Sequence, residues 1–115
     1  MIKTNLSFIK GDTFAQGFTI SNFDLEIDKI YFTVKEKTAD KNYVIQKRLN
    51  EGIEKDPEVE NRYILNIDAD DTNNLKVNFN YVFDIEIVSG DYKKTAIGGY
   101  LKLEDWDVTS KVNEV

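Results

Sequence analysis

The sequence predicts an all-β protein, an antiparallel β-sandwich of about seven strands, and three observations carry this prediction. Apolar and polar residues alternate with a period of two through most of the chain, which is typical of strands buried on one face. No window contains the apolar stripe with a 3.6-residue period that a core helix needs. Turn residues separate the alternating segments at short intervals, and short strands joined in this way favour a sandwich.

Two segments alternate most clearly, at residues 29–35 and 81–87. Their apolar faces consist of Ile30, Phe32 and Val34 in the first segment and of Tyr81, Phe83, Ile85 and Ile87 in the second. Asp84 and Glu86 lie on the opposite face of the second segment, and we expect them to face water. Weaker alternation predicts further strands at residues 5–9, 13–21, 42–49, 62–67 and 94–103. Phe14, Phe18 and Ile20 share the apolar face of 13–21, and Tyr43, Ile45 and Leu49 share that of 42–49.

The segments between these strands carry residues that favour turns and loops. Turns are predicted at residues 10–12, 38–42, 50–52 and 89–91, and a charged loop containing Pro57 at residues 54–60. Asp71 is expected to cap a single helical turn that ends near Leu75. Gly98 and Gly99 indicate a bulge or a close backbone approach inside the last strand.

The length of the chain is sufficient for one hydrophobic core. At 115 residues a second independent domain is not expected. We therefore predict a single sandwich domain at residues 1–105 and a C-terminal tail or linker at residues 106–115. Trp106 begins that tail, and we expect it either to cap the sandwich or to anchor a neighbouring subunit.

Tyr81 is expected to have a structural role. It stands at the start of a predicted strand, six residues after the turn-rich segment 71–75. In sandwich domains a Tyr at this place bonds its hydroxyl to the backbone a few residues upstream, an arrangement called a tyrosine corner. The sequence therefore predicts such a corner at Tyr81.

The residue types that are missing exclude many enzyme classes. The chain contains no Cys, and so it offers no thiolate nucleophile, disulfide or Cys-based zinc site. It also contains no His, which is the commonest general base and the commonest transition-metal ligand. We therefore predict a non-enzymatic protein that has no catalytic, cofactor-binding or metal-binding residues and uses no cofactor.

Two groups of acidic residues are the candidates for chemistry, and each has a simpler interpretation. Asp68, Asp70 and Asp71 offer the oxygen ligands that Ca²⁺ prefers, but the spacing, central Gly and closing Glu of an EF-hand are missing. Helix capping and a solvated loop are sufficient reasons for them. Asp84 and Glu86 stand about 6.6 Å apart along a strand, a separation comparable to a glycosidase pair. Acids alternating with apolar residues are, however, typical of a solvated sheet face.

Charge and hydropathy limit the partners and the compartment. The formal net charge is −6, and the cations do not cluster, so neither nucleic acid nor an anionic membrane is an expected partner. The first residues lack the apolar core of a signal peptide, and no stretch approaches the roughly 18 apolar residues of a membrane span. We expect synthesis and folding in a cytoplasm without export by the Sec route.

The aromatic residues suggest an alternative function. Most of the 14 aromatic side chains fall on predicted core faces, where their large area stabilises packing. The ones left for the surface or the tail are Tyr31, Tyr92, Tyr100 and Trp106. Such side chains would stack on sugar rings if the protein were a carbohydrate- or cell-surface-binding module.

The order of the turn and core signals resembles that of a known family. The matching segments are KGDTF at 10–14, IYFTVK at 30–35, GI at 52–53, DTNNL at 71–75, YVFDI at 81–85, GGYL at 98–101 and DVT at 107–109. In this order they resemble the small immunoglobulin-like proteins of phages and prophages of low-GC bacteria. Some of those proteins are similar to the N-terminal domain of phage baseplate upper proteins. The chain departs from the pattern at Asn80, where a Gly is expected before the Tyr.

The resemblance implies an immunoglobulin-like sandwich in a virion-associated structural protein of the tail or baseplate type. Its partners would be other virion protein subunits, with self-association into a homo-oligomer left open. The protein would be in the host cytoplasm during assembly and in the virion afterwards. The resemblance implies no catalytic residues, and the carbohydrate- or cell-surface-binding module remains the alternative.

Overall fold

The computed structural model describes residues 1–21, 23–106 and 108–113, and these residues form nine β-strands, one 3-10 turn and one short helix. The strands are β1 Ile2–Lys3, β2 Leu6–Ile9, β3 Phe14–Thr19, β4 Lys29–Lys35, β5 Ile45–Leu49, β6 Gly52–Lys55, β7 Arg62–Ile67, β8 Tyr81–Ser89 and β9 Tyr92–Glu104. The 3-10 turn, Ala69–Thr72, follows β7, and helix α1, Val108–Asn113, follows β9. Every predicted strand is present, and the bounds at 29–35 and 62–67 agree to the residue.

The strands form one continuous hydrogen-bonded path that folds into two layers. The front layer is β9-β8-β4-β5, with β1 and β2 along the outer edge of β9, and the back layer is β6-β7-β3. The layers are joined where β5 pairs with β6 over two residues beside the turn at Asn50 and Glu51. Phe8 of β2 stacks on Phe14 of β3 with ring centroids 4.3 Å apart, so the two ends of the path meet. A single core of apolar side chains fills the space between the layers.

This arrangement confirms the predicted immunoglobulin-like sandwich. The back layer sets β7 between β3 and β6, and the front layer sets β8 between β4 and β9, as in the two sheets of an immunoglobulin domain. The predicted all-antiparallel pairing is wrong at the margins, because β1 and β2 run parallel to β9 and β5 runs parallel to β6. The described residues contain nine strands rather than about seven, since β1 and β6 were not predicted.

The two additional strands lack the pattern that predicts a strand. β6 was expected to be a turn and a charged loop, and it exposes Glu54 and Lys55 while burying Ile53 alone. β1 spans two exposed residues. In β5 the strand begins at Ile45 rather than at residue 42, and Tyr43 is 55% exposed outside it. Tyr43 was expected to share the apolar face of that strand, which is wrong.

The tyrosine corner is confirmed. Tyr81 is buried, and its hydroxyl oxygen accepts a hydrogen bond of 2.8 Å from the backbone N–H of Lys76. The ring of Phe79 packs edge-on against that of Tyr81, with centroids 4.7 Å apart. The left-handed residue ahead of Tyr81 is Asn78, with φ of 57°, and not Asn80. An Asn tolerates this conformation, so the turn forms without the expected Gly.

The 3-10 turn begins one turn earlier than predicted. Asp68 is its N-cap, not Asp71, because the Asp71 carboxylate is directed back to accept the N–H of Asp68 at 2.7 Å. The same carboxylate pairs with Nζ of Lys47 at 2.7 Å, which ties the turn to β5. Thr72 is fully buried and accepts the N–H of Gly11 at 2.9 Å, so the turn also holds the β2–β3 connection.

Gly99 in β9 allows another backbone segment to approach the strand closely, and neither Gly98 nor Gly99 lies at the β-bulge. The register against β8 shifts between Ile85 and Glu86, which leaves Ala96 as the extra residue two positions before Gly98. A Cβ on Gly99 would collide with the backbone carbonyl of Thr4. The bulge is therefore near the predicted site but not at it, and Gly99 is needed because the N-terminal segment passes directly over β9.

The C-terminal tail contains helix α1, which the sequence pattern did not predict. Trp106 precedes this helix and is 69% exposed, so the alternative in which it caps the sandwich is wrong. Asp107, part of the resemblance, lies outside the described residues. The division into a sandwich at 1–105 and a tail at 106–115 stays a prediction.

Candidate interaction edges

Strand β3 forms one open edge of the back layer. Among the strands that the structure describes it pairs with β7 alone, in an antiparallel register that sets Phe14 opposite Ile67 and Thr19 opposite Arg62. The N–H of Ile20 bonds the carbonyl of Asn61 at 2.9 Å, and antiparallel pairing alternates, so the even-numbered residues of β3 face β7. The backbone groups of the odd-numbered residues are therefore directed away from the sheet.

Three residues present these outward groups: Ala15, Gly17 and Thr19. Ala15 and Thr19 are exposed, and the intervening Gln16 donates from Nε2 to the carbonyl of Gly17 at 2.9 Å. This side-chain bond confirms that the Gly17 carbonyl points away from β7. No residue between Phe14 and Thr19 carries a charge, and none is Pro. The edge therefore lacks the charged residues and prolines that often prevent the addition of another strand.

The face of the sheet beside this edge is covered by Arg62. A Cβ on Gly17 would collide with the guanidinium of Arg62, so the glycine makes room for that side chain. Arg62 Nη1 donates to Asp56 Oδ2 at 2.7 Å, and Asp56 Oδ1 accepts the N–H of Glu58 at 2.9 Å. The Glu58 N–H and then the guanidinium hold the pKa of Asp56 below its ordinary value of 3.8. The Arg62 charge is thus neutralised by an ionised partner.

The edge at the opposite end of the path is protected. It consists of β1 and β2, which span two and four residues and are separated by Thr4 and Asn5. In the gap, the side chain of Asn5 takes the place of a strand and accepts the N–H of Tyr100 at 3.1 Å. Lys3 and Lys10 flank this edge. Short strands and lysines oppose the addition of a further strand, so the β3 edge is the more open of the two.

The outer face of the front layer holds Asp84 and Glu86, the predicted pair of carboxylates. Both are half-buried rather than fully solvated, since Thr33 and Tyr31 stand opposite them on β4. Burial, and then the charge of Glu86, raise the pKa of Asp84, whereas Lys35 opposes the rise. A shallow groove of about 480 Å³ lies beside Asp84. The carboxylates line an open sheet face, and both also border a second groove together with Lys41 and Tyr43.

The acidic residues near the 3-10 turn are used within the fold. Asp71 binds Lys47 and the N–H of Asp68, as described above, and Asp70 Oδ1 accepts the side-chain amide of Asn73 at 3.2 Å. Among residues 1–21, 23–106 and 108–113, no group of three or more acidic side chains is placed to hold a metal ion. These contacts agree with the capping role that the sequence favours.

The surface aromatic residues do not gather into one platform. Tyr92 and Tyr100 are about half exposed, but they stand eight residues apart on β9, which corresponds to roughly 26 Å. Tyr92 packs against Phe23 with centroids 5.7 Å apart, and the Tyr31 ring lies beneath the guanidinium of Arg48 at 5.7 Å. Tyr100 borders the groove of about 480 Å³ beside Asp84, whereas Tyr31 borders the second groove beside the same carboxylate.

The open edge is the feature that sequence reasoning missed. The pattern placed Phe14, Phe18 and Ile20 on a core face, which the burial of Phe18 and Ile20 confirms. The pairing partners of a strand, and hence its free side, depend on topology that local alternation does not contain. The available signal was the uncharged run from Thr13 to Ser21, which contrasts with every other strand except β2.

Comparison with known proteins adds distant structural likeness to this description. No helix in the described part of the chain is long and apolar enough to span a membrane. No protein-family model matches the chain, and no curated protein sequence matches it. One similar solved structure is that of the extracellular domains of the voltage-gated sodium channel beta4 subunit, described as parallel homodimers with a role in cell–cell adhesion. It is 13% identical, with a TM-score of 0.43, over 90% of this chain and 92% of that chain. At this distance the likeness carries no argument about what the present chain does.

Proposed function

We propose that this protein is a non-enzymatic structural module that docks to other protein subunits in a phage or prophage virion, of the tail or baseplate type. The observation that carries the docking role is the open, uncharged edge of β3. The virion setting rests on the resemblance of the turn and core signals to phage-encoded immunoglobulin-like proteins. In this setting the protein is present in the host cytoplasm during assembly and in the virion afterwards.

An open edge suits an assembly protein because strand addition uses backbone groups that are already aligned. A partner strand along β3 would bond the outward N–H and C=O groups of Ala15, Gly17 and Thr19. These groups are held in place by the β7 ladder, so little conformational entropy is lost on this side when the partner binds. Because β3 carries no charge, no charged side chain of that strand has to be desolvated or brought near a like charge when a partner strand binds.

The experiment compares two lysine substitutions on opposite edges. Ala15→Lys places a charge on the β3 edge, whereas Ser7→Lys places the same charge on the protected β2 edge. Each variant is produced in the strain that encodes the chain, and particles are purified after induction and analysed by mass spectrometry. We expect wild type and S7K in the particles and a loss of at least tenfold for A15K. Particles that lack the wild-type chain, or that contain A15K at the wild-type level, would contradict the proposal.

A carbohydrate- or cell-surface-binding module is the second candidate, because Tyr100 is 53% exposed at the border of the groove beside Asp84. An aromatic ring next to a carboxylate is a common way to hold a sugar. This function predicts binding on a glycan array that Tyr100→Ala abolishes and that Tyr92→Ala, at the far end of β9, leaves unchanged. Absence of binding by the wild-type protein would exclude it.

A further inference from the structure

We propose that the β3 edge pairs with β3 of a second copy of this chain, antiparallel, about a two-fold axis that passes midway between Gly17 and Gly17 of the second copy. This inference rests on the docking role proposed above and names the partner for the same edge. A two-fold axis makes the interface closed, because each copy offers the same strand and leaves no further β3 edge exposed.

The register follows from the outward backbone groups. With Gly17 opposite Gly17 of the second copy, Ala15 lies opposite Thr19 of the second copy, and Thr19 lies opposite Ala15. Each outward residue then exchanges two hydrogen bonds with its opposite, which gives six bonds for three pairs. A shift of two residues in either direction leaves one outward residue of each strand without a partner inside β3. The symmetric register is therefore the one that satisfies the whole edge.

The side chains at the seam fit this register. Gly17 leaves space at the axis, and Ala15 opposite Thr19 brings two small side chains together. No charged residue lies within Phe14–Thr19, so the acidic groups that give the chain its charge of −6 stay away from the seam. The Arg62 guanidinium beside each Gly17 carries its own counter-ion, Asp56 at 2.7 Å, and the axis therefore brings two neutral ion pairs together rather than two bare cations.

Pairing requires one local change. The side chain of Gln16 must release the carbonyl of Gly17, which it bonds at 2.9 Å at an exposed position. The N–H of Gly17 in the second copy takes its place, so the carbonyl keeps a partner. The two three-stranded back layers then become one six-stranded sheet with β6 at each end.

The absence of Cys from the chain permits a direct test of the register. Opposed residues of a hydrogen-bonded antiparallel pair have Cα atoms about 5.5 Å apart, which a disulfide can bridge. Two variants of the full chain, Ala15→Cys and Thr19→Cys, are oxidised separately and as an equimolar mixture. In the proposed register the mixture forms a mixed disulfide dimer. Each variant alone does not, because identical positions are four residues, or about 13 Å, apart.

A mixture of Thr19→Cys with Ser7→Cys, on the β2 edge, measures collisional cross-linking. We expect at least tenfold more cross-linked dimer from the A15C and T19C mixture than from this control. Equal yields, or efficient cross-linking of either variant alone, would overturn the register. Light scattering of the Cys-free protein supplies a second measurement that needs no thiol, with a dimer expected for wild type and S7K and a monomer for A15K. A wild-type monomer up to millimolar concentration would overturn the pairing.

The two proposals fail in different ways. If the Cys mixture does not cross-link while A15K is still lost from particles, the edge binds a strand of another subunit. The second-copy inference then falls and the docking role stands. If the mixture cross-links while the chain is absent from particles, the pairing stands and the virion role falls. A15K that is lost from particles and monomeric in solution supports both.

Discussion

Removal of the Tyr81 hydroxyl isolates one hydrogen bond that joins the front layer to the turn before it. In Tyr81→Phe the ring remains in the core and keeps its contact with Phe79, but the N–H of Lys76 loses the acceptor that it bonds at 2.8 Å. A partly buried hydrogen bond between the backbone and a side chain contributes about 1 kcal/mol, and an N–H left without a partner raises the loss to about 2 kcal/mol. We therefore expect a destabilisation of about 1–2 kcal/mol.

The expected change in melting temperature follows from the length of the chain. At about 2.1 cal/mol/K per residue, 115 residues give an unfolding entropy of about 240 cal/mol/K near the midpoint. A loss of about 1–2 kcal/mol then lowers the Tm by about 4–8 °C. Thermal unfolding followed by circular dichroism measures this shift, and urea unfolding checks that the m-value is unchanged.

The matched control is Tyr100→Phe, which removes the same hydroxyl from a residue that is 53% exposed. Its Tm should stay within about 2 °C of wild type, as for most surface substitutions. Equal Tm values for Y81F and Y100F would refute the reasoning, because they would mean that the Lys76 N–H finds an equally good partner in water.

Three further predictions concern the contacts that close the fold. Gly99→Ala should release the N-terminal strands, because the new Cβ collides with the backbone carbonyl of Thr4. Faster amide hydrogen exchange in residues 2–9 would measure this release. Gly98→Ala should have a much smaller effect, because its Cβ meets mainly the flexible end of the Met1 side chain. Lys47→Met keeps the packing of the side-chain stem but removes the cation that pairs with Asp71, at a site where the two side chains are 14% and 25% exposed. It should lose about 1–2 kcal/mol in urea unfolding. Lys76→Met, at the more exposed pair with Glu36, should lose less than about 0.5 kcal/mol. The ionised Asp56 carboxylate stabilises the fold in full above its ordinary pKa of 3.8, and this stabilisation is lost as the pH falls through the lower pKa of the folded state. The urea midpoints of wild type and Asp56→Asn should therefore converge below pH 3.8. A constant difference between the two midpoints down to the acid transition would contradict the role of the Asp56 charge.

The sequence predicted the central strands well because they bury one whole face. β4 and β8 alternate without interruption: the even-numbered residues of β4 are all buried, and so are the odd-numbered residues of β8 from Tyr81 to Ile87. Tyr81 belonged to this pattern and also followed a recognisable turn, so its hydrogen bond could be predicted together with its strand. Local alternation contains this information because a strand in the middle of a layer is specified by the core beneath it.

The marginal strands and the candidate edge could not be predicted in the same way. β6 buries only Ile53, and its place is fixed by pairing with β7 and β5 and not by its own pattern. The N-terminal segment pairs in parallel with β9 because Gly99 permits the approach, a contact between residues that are distant in sequence. The open side of β3 is a consequence of that choice, because the first strands join the front layer and leave β3 without a second neighbour.

The bond between Asn5 and Tyr100 spans 95 positions of the chain, and this separation has a consequence for the order of folding. During synthesis the first nine residues emerge long before β9 exists, so they must remain extended and unpaired while the hairpins of the middle strands form. Contacts of such high sequence separation close late, because the entropy of a long loop opposes them until most of the core is in place. We therefore expect the N-terminal segment to pair with β9 late in folding. If synthesis stops before β9, the segment can pair with the sheet of another protein instead.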